Sequence, residues 1–246
     1  MTTVLVIAGT DSSGGAGLTR DVATLTHLGA EAQCVVTAVT AQTDRELTAV
    51  ELLPPSLVQA QIRAALATRR AGAIKIGMLG SGAIVEAVAD SLPPPARLPL
   101  VVDPVLAASS GAELLDRPGR VALMQRLLPR VTLLTPNLEE AAVLLASATA
   151  TADAEIVAQG QALCARGAAA VLLKGGHASG PLATDWLITR EGCVRQFSVS
   201  RLVARRRGTG CALAAAIAAG LASGLALDAA CAQAKAHVTE LLQTAR

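Results

Sequence analysis

Short apolar runs and helical patterns alternate along the whole chain. Thr3–Ala8 is a brief apolar run, the mark of a buried strand, and Gly9–Gly17 after it reads as a loop. A helix is predicted from about Leu18 to Leu28, stopped by Gly29. Cys34–Val39 is β-branched and apolar, a second strand, and Pro55 opens a helix reaching about Arg69. Ala73–Ile76 is a strand and Gly82–Leu92 a helix. Leu100–Val102 is a strand ending at Asp103-Pro104, followed by a helix over Pro118–Leu128. Val131–Leu134 is a strand ending at Thr135-Pro136-Asn137, and Asn137 is placed to cap the helix Leu138–Leu145. A helix over Glu155–Arg166 and a strand over Ala169–Leu173 follow. The period then changes: Thr184–Thr189 and Val194–Ser200 flank Glu191-Gly192 as a hairpin. Two Ala-rich helices close the chain, about Thr209–Ser223 and Leu227–Gln243.

Strands that are apolar throughout and separated by helices belong to a parallel sheet covered on both faces. The late hairpin adds antiparallel strands at one edge. The fold class is therefore α/β. No linker composition and no repeat appears, and Pro93-Pro94-Pro95 reads as a surface connection, so one domain over residues 1–246 is expected. Over half of the residues are apolar (52%), but aromatics are 1%, so the core is built of Ala, Val, Leu and Ile. A net charge of +2 gives no electrostatic footprint for nucleic acid, and stacking aromatics are missing. Ala212–Leu227, mostly Ala and Gly, is too short and too weakly apolar for a bilayer span of about 20 residues. Neither nucleic acid nor a membrane is an expected partner. The five cysteines form no C-x-x-C pair, and Met1-Thr2-Thr3 carries no basic leader, which points to free thiols in the cytoplasm. Cys34, Cys164, Cys193 and Cys231 are assigned to the core.

In such sheets ligands sit at the carboxyl ends of strands, and that is where the unusual residues fall. Gly208-Thr209-Gly210 precedes an Ala-rich helix. Inward-turned backbone N–H groups and the helix N-terminus together suit an anion. Taken alone, the segment reads first as an ordinary helix start; it is neither a Walker A loop nor a dinucleotide fingerprint. Cys211, in the first helical turn, has a position that lowers a thiol's pKa and fits a proton acceptor, though a lone Cys is more often a small buried hydrophobe. The nine residues Gly9–Gly17 hold four glycines and let a flat ligand approach the backbone, with Asp21 able to point back at them. Asp103 and Glu140 are two carboxylates of the kind that join phosphate oxygens around Mg²⁺, while singly they read as a turn and a solvated helix residue. Lys174 emerges at a strand end as a point charge for phosphate. His177 is more often structural, and with His27 and His237 far apart in sequence no zinc motif is formed.

Six motifs occur in order: Ala8–Gly17 with Asp21, Lys75-Ile76-Gly77-Met78-Leu79, Asp103-Pro104-Val105, Thr135-Pro136-Asn137-Leu138-Glu139-Glu140-Ala141, Lys174-Gly175-Gly176-His177 and Gly208-Thr209-Gly210-Cys211. The set resembles the hydroxymethylpyrimidine/phosphomethylpyrimidine kinases of thiamine biosynthesis, within the ribokinase-like superfamily. That resemblance implies a three-layer α/β/α sandwich, ATP and Mg²⁺ as cofactors, a homodimer, and phosphorylation of 4-amino-5-hydroxymethyl-2-methylpyrimidine and then of its monophosphate. It also implies that Gly9, Asp21, Gln42, Met78 and Val105 line the pyrimidine pocket. Asp103 and Glu140 would place metal and phosphates, and Lys174 would meet the transferring phosphoryl group. Gly208, Thr209 and Gly210 would form the anion hole, Cys211 would be the base, and Lys235 would lie near the phosphates. The chain departs from the pattern in carrying Arg207, within Arg205-Arg206-Arg207, where relatives usually have His. Pyridoxal kinase on the same scaffold and a pyrimidine-binding protein without catalysis are the alternatives.

Overall fold

The computed structural model describes residues 2–43, 46–68, 70–94, 97–108, 111–176, 180–202, 204 and 206–244. Met1, Arg69, Pro95, His177 and Arg205, named above, lie outside these residues. Among the described residues nine strands form one sheet in the order β3-β2-β1-β4-β5-β6-β7-β8-β9. They are β1 (Thr3–Asp11), β2 (Glu31–Gln42), β3 (Leu47–Leu52), β4 (Ala73–Ile76), β5 (Leu100–Val102), β6 (Leu133–Leu134), β7 (Ala170–Lys174), β8 (Leu182–Thr189) and β9 (Val194–Ser200). The six strands from β2 to β7 in that order run parallel, and β3, β8 and β9 are antiparallel additions.

Alternation along β1 explains the layers. Leu5 and Ile7 enter one buried cluster, which also holds residues of α2 (Pro55–Thr68), α3 (Gly82–Ser91), α4 (Arg117–Ala122), α5 (Leu138–Leu145) and α6 (Asp153–Ala165). Val4, Val6 and Ala8 enter the other, with α1 (Gly17–His27), α7 (Thr209–Ala222) and α8 (Leu227–Gln243). The predicted α/β/α layering is thus present. In α7 every residue from Ala212 to Gly220 is buried, and its small side chains let neighbours close in: a Cβ at Gly72 would lie 3.0 Å from that of Ala222.

Several expectations are corrected. β3 was not foreseen, because its side chains are mostly exposed and carry no alternating pattern. The helix expected over Pro118–Leu128 is three pieces: α4, a wider turn over Leu123–Leu127 and a 3₁₀ turn over Leu128–Arg130 containing Pro129. Strand β1 runs on through Asp11, past a register shift between Ala8 and Thr10, so the loop begins later than Gly9. Cys34 and Cys193 are exposed, and only Cys164 and Cys231 of the four assigned to the core are buried. Strand order reverses at β1, whose neighbours are β2 and β4; the carboxyl ends of these strands open the crevice typical of a doubly wound sheet.

Candidate active site

The Gly-rich segment folds back onto two other elements. Gly17 has φ +58°, and a Cβ there would stand 2.3 Å from the Gly9 carbonyl oxygen. Gly208 has φ +73°, and its Cβ would stand 2.3 Å from the Gly15 carbonyl oxygen. No side chain fits either place, so the loop after β1 lies directly on the turn that starts α7. A Cβ on Gly9 would come within 3.0 Å of Met78 Sδ, which puts Met78 over the Gly9 backbone. Thr37 Oγ1 donates to the Met78 carbonyl at 2.6 Å and fixes the chain there. Gln42 is tied to the same loop: its N–H donates to Ser12 Oγ at 2.8 Å. Val105 follows Asp103, with its N–H donating to the Asp103 carbonyl at 2.9 Å.

Asp21 is held by an ion pair with β4. It is fully buried on α1, and its Oδ2 accepts from Lys75 Nζ on β4 at 2.7 Å. Burial pushes the Asp21 carboxyl up to about 6, against the pull of Lys75. Burial lowers the Lys75 ammonium, but Asp21, Cys211 and Asp103 together leave it above its ordinary value. Lys75 is a site residue for which the sequence motif implies no role. A lysine inside the four-residue apolar strand Ala73–Ile76 was the available signal.

On the other side of the crevice the tips of β5 and β7 meet the start of α7. Lys174 Nζ lies 2.8 Å from Asp103 Oδ1 and 3.8 Å from Glu140 Oε2. A Cβ on Gly210 would be 3.2 Å from Lys174 Nζ and 3.4 Å from Asp103 Oδ2, so the helix N-terminus faces both charges. Glu140 is oriented by a capping box: the Asn137 N–H donates to Glu140 Oε2 at 2.8 Å and the Glu140 N–H donates to Asn137 Oδ1 at 2.7 Å. Burial lowers Lys174, yet Asp103 and Glu140 outweigh it and hold the ammonium above the ordinary lysine range. Burial, with the Asp103 charge, raises the Glu140 carboxyl despite Lys174.

Cys211 departs from the sequence expectation. Burial pushes its thiol up to about 11; Lys75 pulls it down, while Asp21 and Asp103 raise it further. The helix start is outweighed by desolvation, and the resting group is a thiol. Lys235 is ion-paired: its Nζ is 2.7 Å from Asp185 Oδ2, and Asp185 Oδ1 accepts the Gly175 N–H at 3.1 Å. Asp185 is the cross-strand neighbour of Lys174, so this pair adjoins the strand tip that carries Lys174. Asp185, raised by burial, was missed, although an acid within the apolar Thr184–Thr189 run was visible.

Among the described residues no group of three or more His, Cys, Asp or Glu side chains is arranged to hold a metal alone. A buried carboxylate, Asp103, and a partly buried one, Glu140, suit an ion such as Mg²⁺, which takes most of its ligands from phosphates and water.

A profile described as phosphomethylpyrimidine kinase matches residues 11–246. The chain belongs to the phosphomethylpyrimidine kinase family. It shares 44% identity over 213 residues with the hydroxymethylpyrimidine/phosphomethylpyrimidine kinase of Escherichia coli K12, covering 86% of this chain and 80% of that protein. With the enzyme of the same description from Rhizobium meliloti it shares 42% over 242 residues, 98% and 90% of the two chains. The crystal structure of phosphomethylpyrimidine kinase from Clostridium difficile 630 superposes with a TM-score of 0.85 at 32% identity, over 98% of this chain and 99% of the other. Pyridoxal kinase from Staphylococcus aureus, in complex with AMP-PCP and pyridoxal, superposes with a TM-score of 0.88 at 28% identity, over 99% and 88%. As a member of this family, the chain is a kinase of thiamine biosynthesis on a ribokinase-like fold.

Proposed function

We propose that this phosphomethylpyrimidine kinase transfers the γ-phosphoryl group of ATP to the hydroxymethyl oxygen of 4-amino-5-hydroxymethyl-2-methylpyrimidine, and then a second group to the monophosphate. The observation that carries this is the meeting of Gly210, Lys174 and Asp103 at the start of α7. Phosphoryl transfer passes through a loose transition state, so positioned charge rather than covalent chemistry supplies most of the acceleration. The N–H groups of Gly208, Thr209 and Gly210 receive charge spreading over the equatorial oxygens, and Lys174 neutralises it from the strand tip. Asp103 and Glu140 would hold Mg²⁺, which would neutralise the triphosphate when bound. The alcohol oxygen forms the new P–O bond, the bond to the β–γ bridging oxygen breaks, and ADP leaves. The alcohol proton goes to the Cys211 thiolate, a minor form that Lys75 favours. Gly9, Asp21, Gln42, Met78 and Val105 line the pyrimidine side, with Asp21 paired to Lys75, and Lys235, paired to Asp185, lies near the phosphates.

Mass spectrometry of the products formed from ATP, Mg²⁺ and the pyrimidine tests the reading. Both the phosphate and the diphosphate are expected; folded protein that releases no ADP above background refutes it. The likeness to a pyridoxal kinase in complex with pyridoxal motivates a second reading, pyridoxal as acceptor. Comparing kcat/KM for the two alcohols decides, with the pyrimidine expected to be preferred. We further propose that one domain carries this activity and that it works in the cytoplasm as a homodimer on small molecules. No helix among the described residues is long and apolar enough to cross a membrane. Light scattering should give twice the mass of one chain.

A further inference from the structure

We propose that Arg207 is a positioning residue that latches the pyrimidine-side loops to the anion-binding turn. Its guanidinium bridges segments far apart in sequence. Nη2 donates to Asp11 Oδ2 at 2.9 Å, and Nη1 donates to Ser13 Oγ at 3.0 Å and to the Thr43 carbonyl at 2.7 Å. Asp11, at the end of β1, is prepared for this partner, because its Oδ1 already accepts the Ser13 N–H at 2.9 Å and Oγ–H at 2.8 Å. Both side chains are shielded, at 16% exposure for Arg207 and 4% for Asp11, so the pair is not the screened kind found on open surface. The guanidinium crosses Gly15, where a Cβ would stand 3.3 Å from Nη1.

The consequence follows from what each acceptor adjoins. Thr43 follows Gln42, whose N–H is itself held by Ser12 Oγ at 2.8 Å. Gly208 follows Arg207 and opens the turn whose N–H groups face the phosphates. One side chain therefore fixes Gln42 and the Gly-rich loop relative to the phosphoryl-transfer centre. A planar fork with five N–H donors can serve three acceptors at once, whereas an imidazole has two nitrogens and an ammonium one.

This inference rests on the kinase reading, and wild-type turnover of the pyrimidine separates the two. Arg207→Ala is expected to raise KM for the pyrimidine by about tenfold or more, the worth of one charge-assisted interaction, while kcat changes by less than about threefold. Guanidinium ion added at millimolar concentration should restore part of the loss. Asp11→Asn should raise the same KM, and the double variant should be no worse than Arg207→Ala alone. Arg207→Lys, which keeps the charge without the fork, should fall between wild type and Ala, and serves if Arg207→Ala does not fold. An unchanged KM in an otherwise active enzyme, a loss confined to kcat, or additive effects of the two substitutions would overturn the latch. Calorimetric titration of the pyrimidine without nucleotide gives the same comparison in the absence of turnover.

Discussion

Lys75→Met tests the physical reading of the buried Asp21–Lys75 pair. Both side chains are fully inaccessible, the Nζ–Oδ2 distance is 2.7 Å, and Asp21 Oδ1 has no hydrogen-bond partner among the described residues. Removing the ammonium leaves a carboxyl group in an apolar interior with nothing to neutralise it. Deleting one member of a buried pair costs about 3–5 kcal/mol. At about 2–4 °C per kcal/mol for a chain of this size, the melting temperature should fall by roughly 6–20 °C. Replacing both partners, as Lys75→Met with Asp21→Val, should recover most of that loss, because no charge then remains to be desolvated. The pH dependence has a definite sign. Burial raises Asp21 from 3.8 to about 6 in the folded protein, so its contribution to stability is complete below the lower value and is lost as pH rises through the upper. Without Lys75 the folded value rises further and the loss extends to higher pH. The deficit of Lys75→Met should therefore be larger at about pH 8 than at about pH 5. Urea unfolding followed by the fluorescence of Trp186, the single tryptophan and 5% exposed, measures all of this. A single-variant cost below about 1 kcal/mol, a double variant as unstable as the sum of its parts, or a deficit that shrinks with rising pH would refute the argument.

Other outcomes are expected at the site. Because the Cys211 thiol is pushed up to about 11, kcat/KM should climb with pH through about pH 9, and Cys211→Ala should remove most turnover while leaving pyrimidine binding nearly intact; a wild-type profile flat from neutrality upward would exclude the thiolate as base. Gly208→Ala forces a side chain into φ +73° and against the Gly15 carbonyl, so kcat should fall by at least about tenfold, read in a coupled ADP assay, and wild-type turnover would refute the close approach. Lys174→Met should lower kcat by about a hundredfold with the pyrimidine KM little changed; a rise in KM alone would show that the ammonium serves substrate binding instead.

Periodicity and punctuation determined most of the secondary structure. Ala73–Ile76, Leu100–Val102, Leu138–Leu145 and Leu227–Gln243 have the bounds that the sequence predicts, because short apolar runs, caps and breakers act locally. The motif residues at strand ends were legible for the same reason: charge and glycine stand out against apolar strands. Local signals were silent on β3, whose exposed side chains carry no alternation and whose place depends on pairing with β2.

Tertiary structure decided the electrostatics. The position of Cys211 at a helix start argues for a lowered pKa, but burial depth is a property of the packed layers, and it reverses the sign. Asp21 and Lys235 look available for ligands in the sequence, yet each meets a partner 54 or 50 residues away, Lys75 and Asp185. The same holds for Arg207, 196 residues from Asp11. Which charges neutralise one another is set by the distances between chain segments and by the water excluded around them, and a linear sequence records neither.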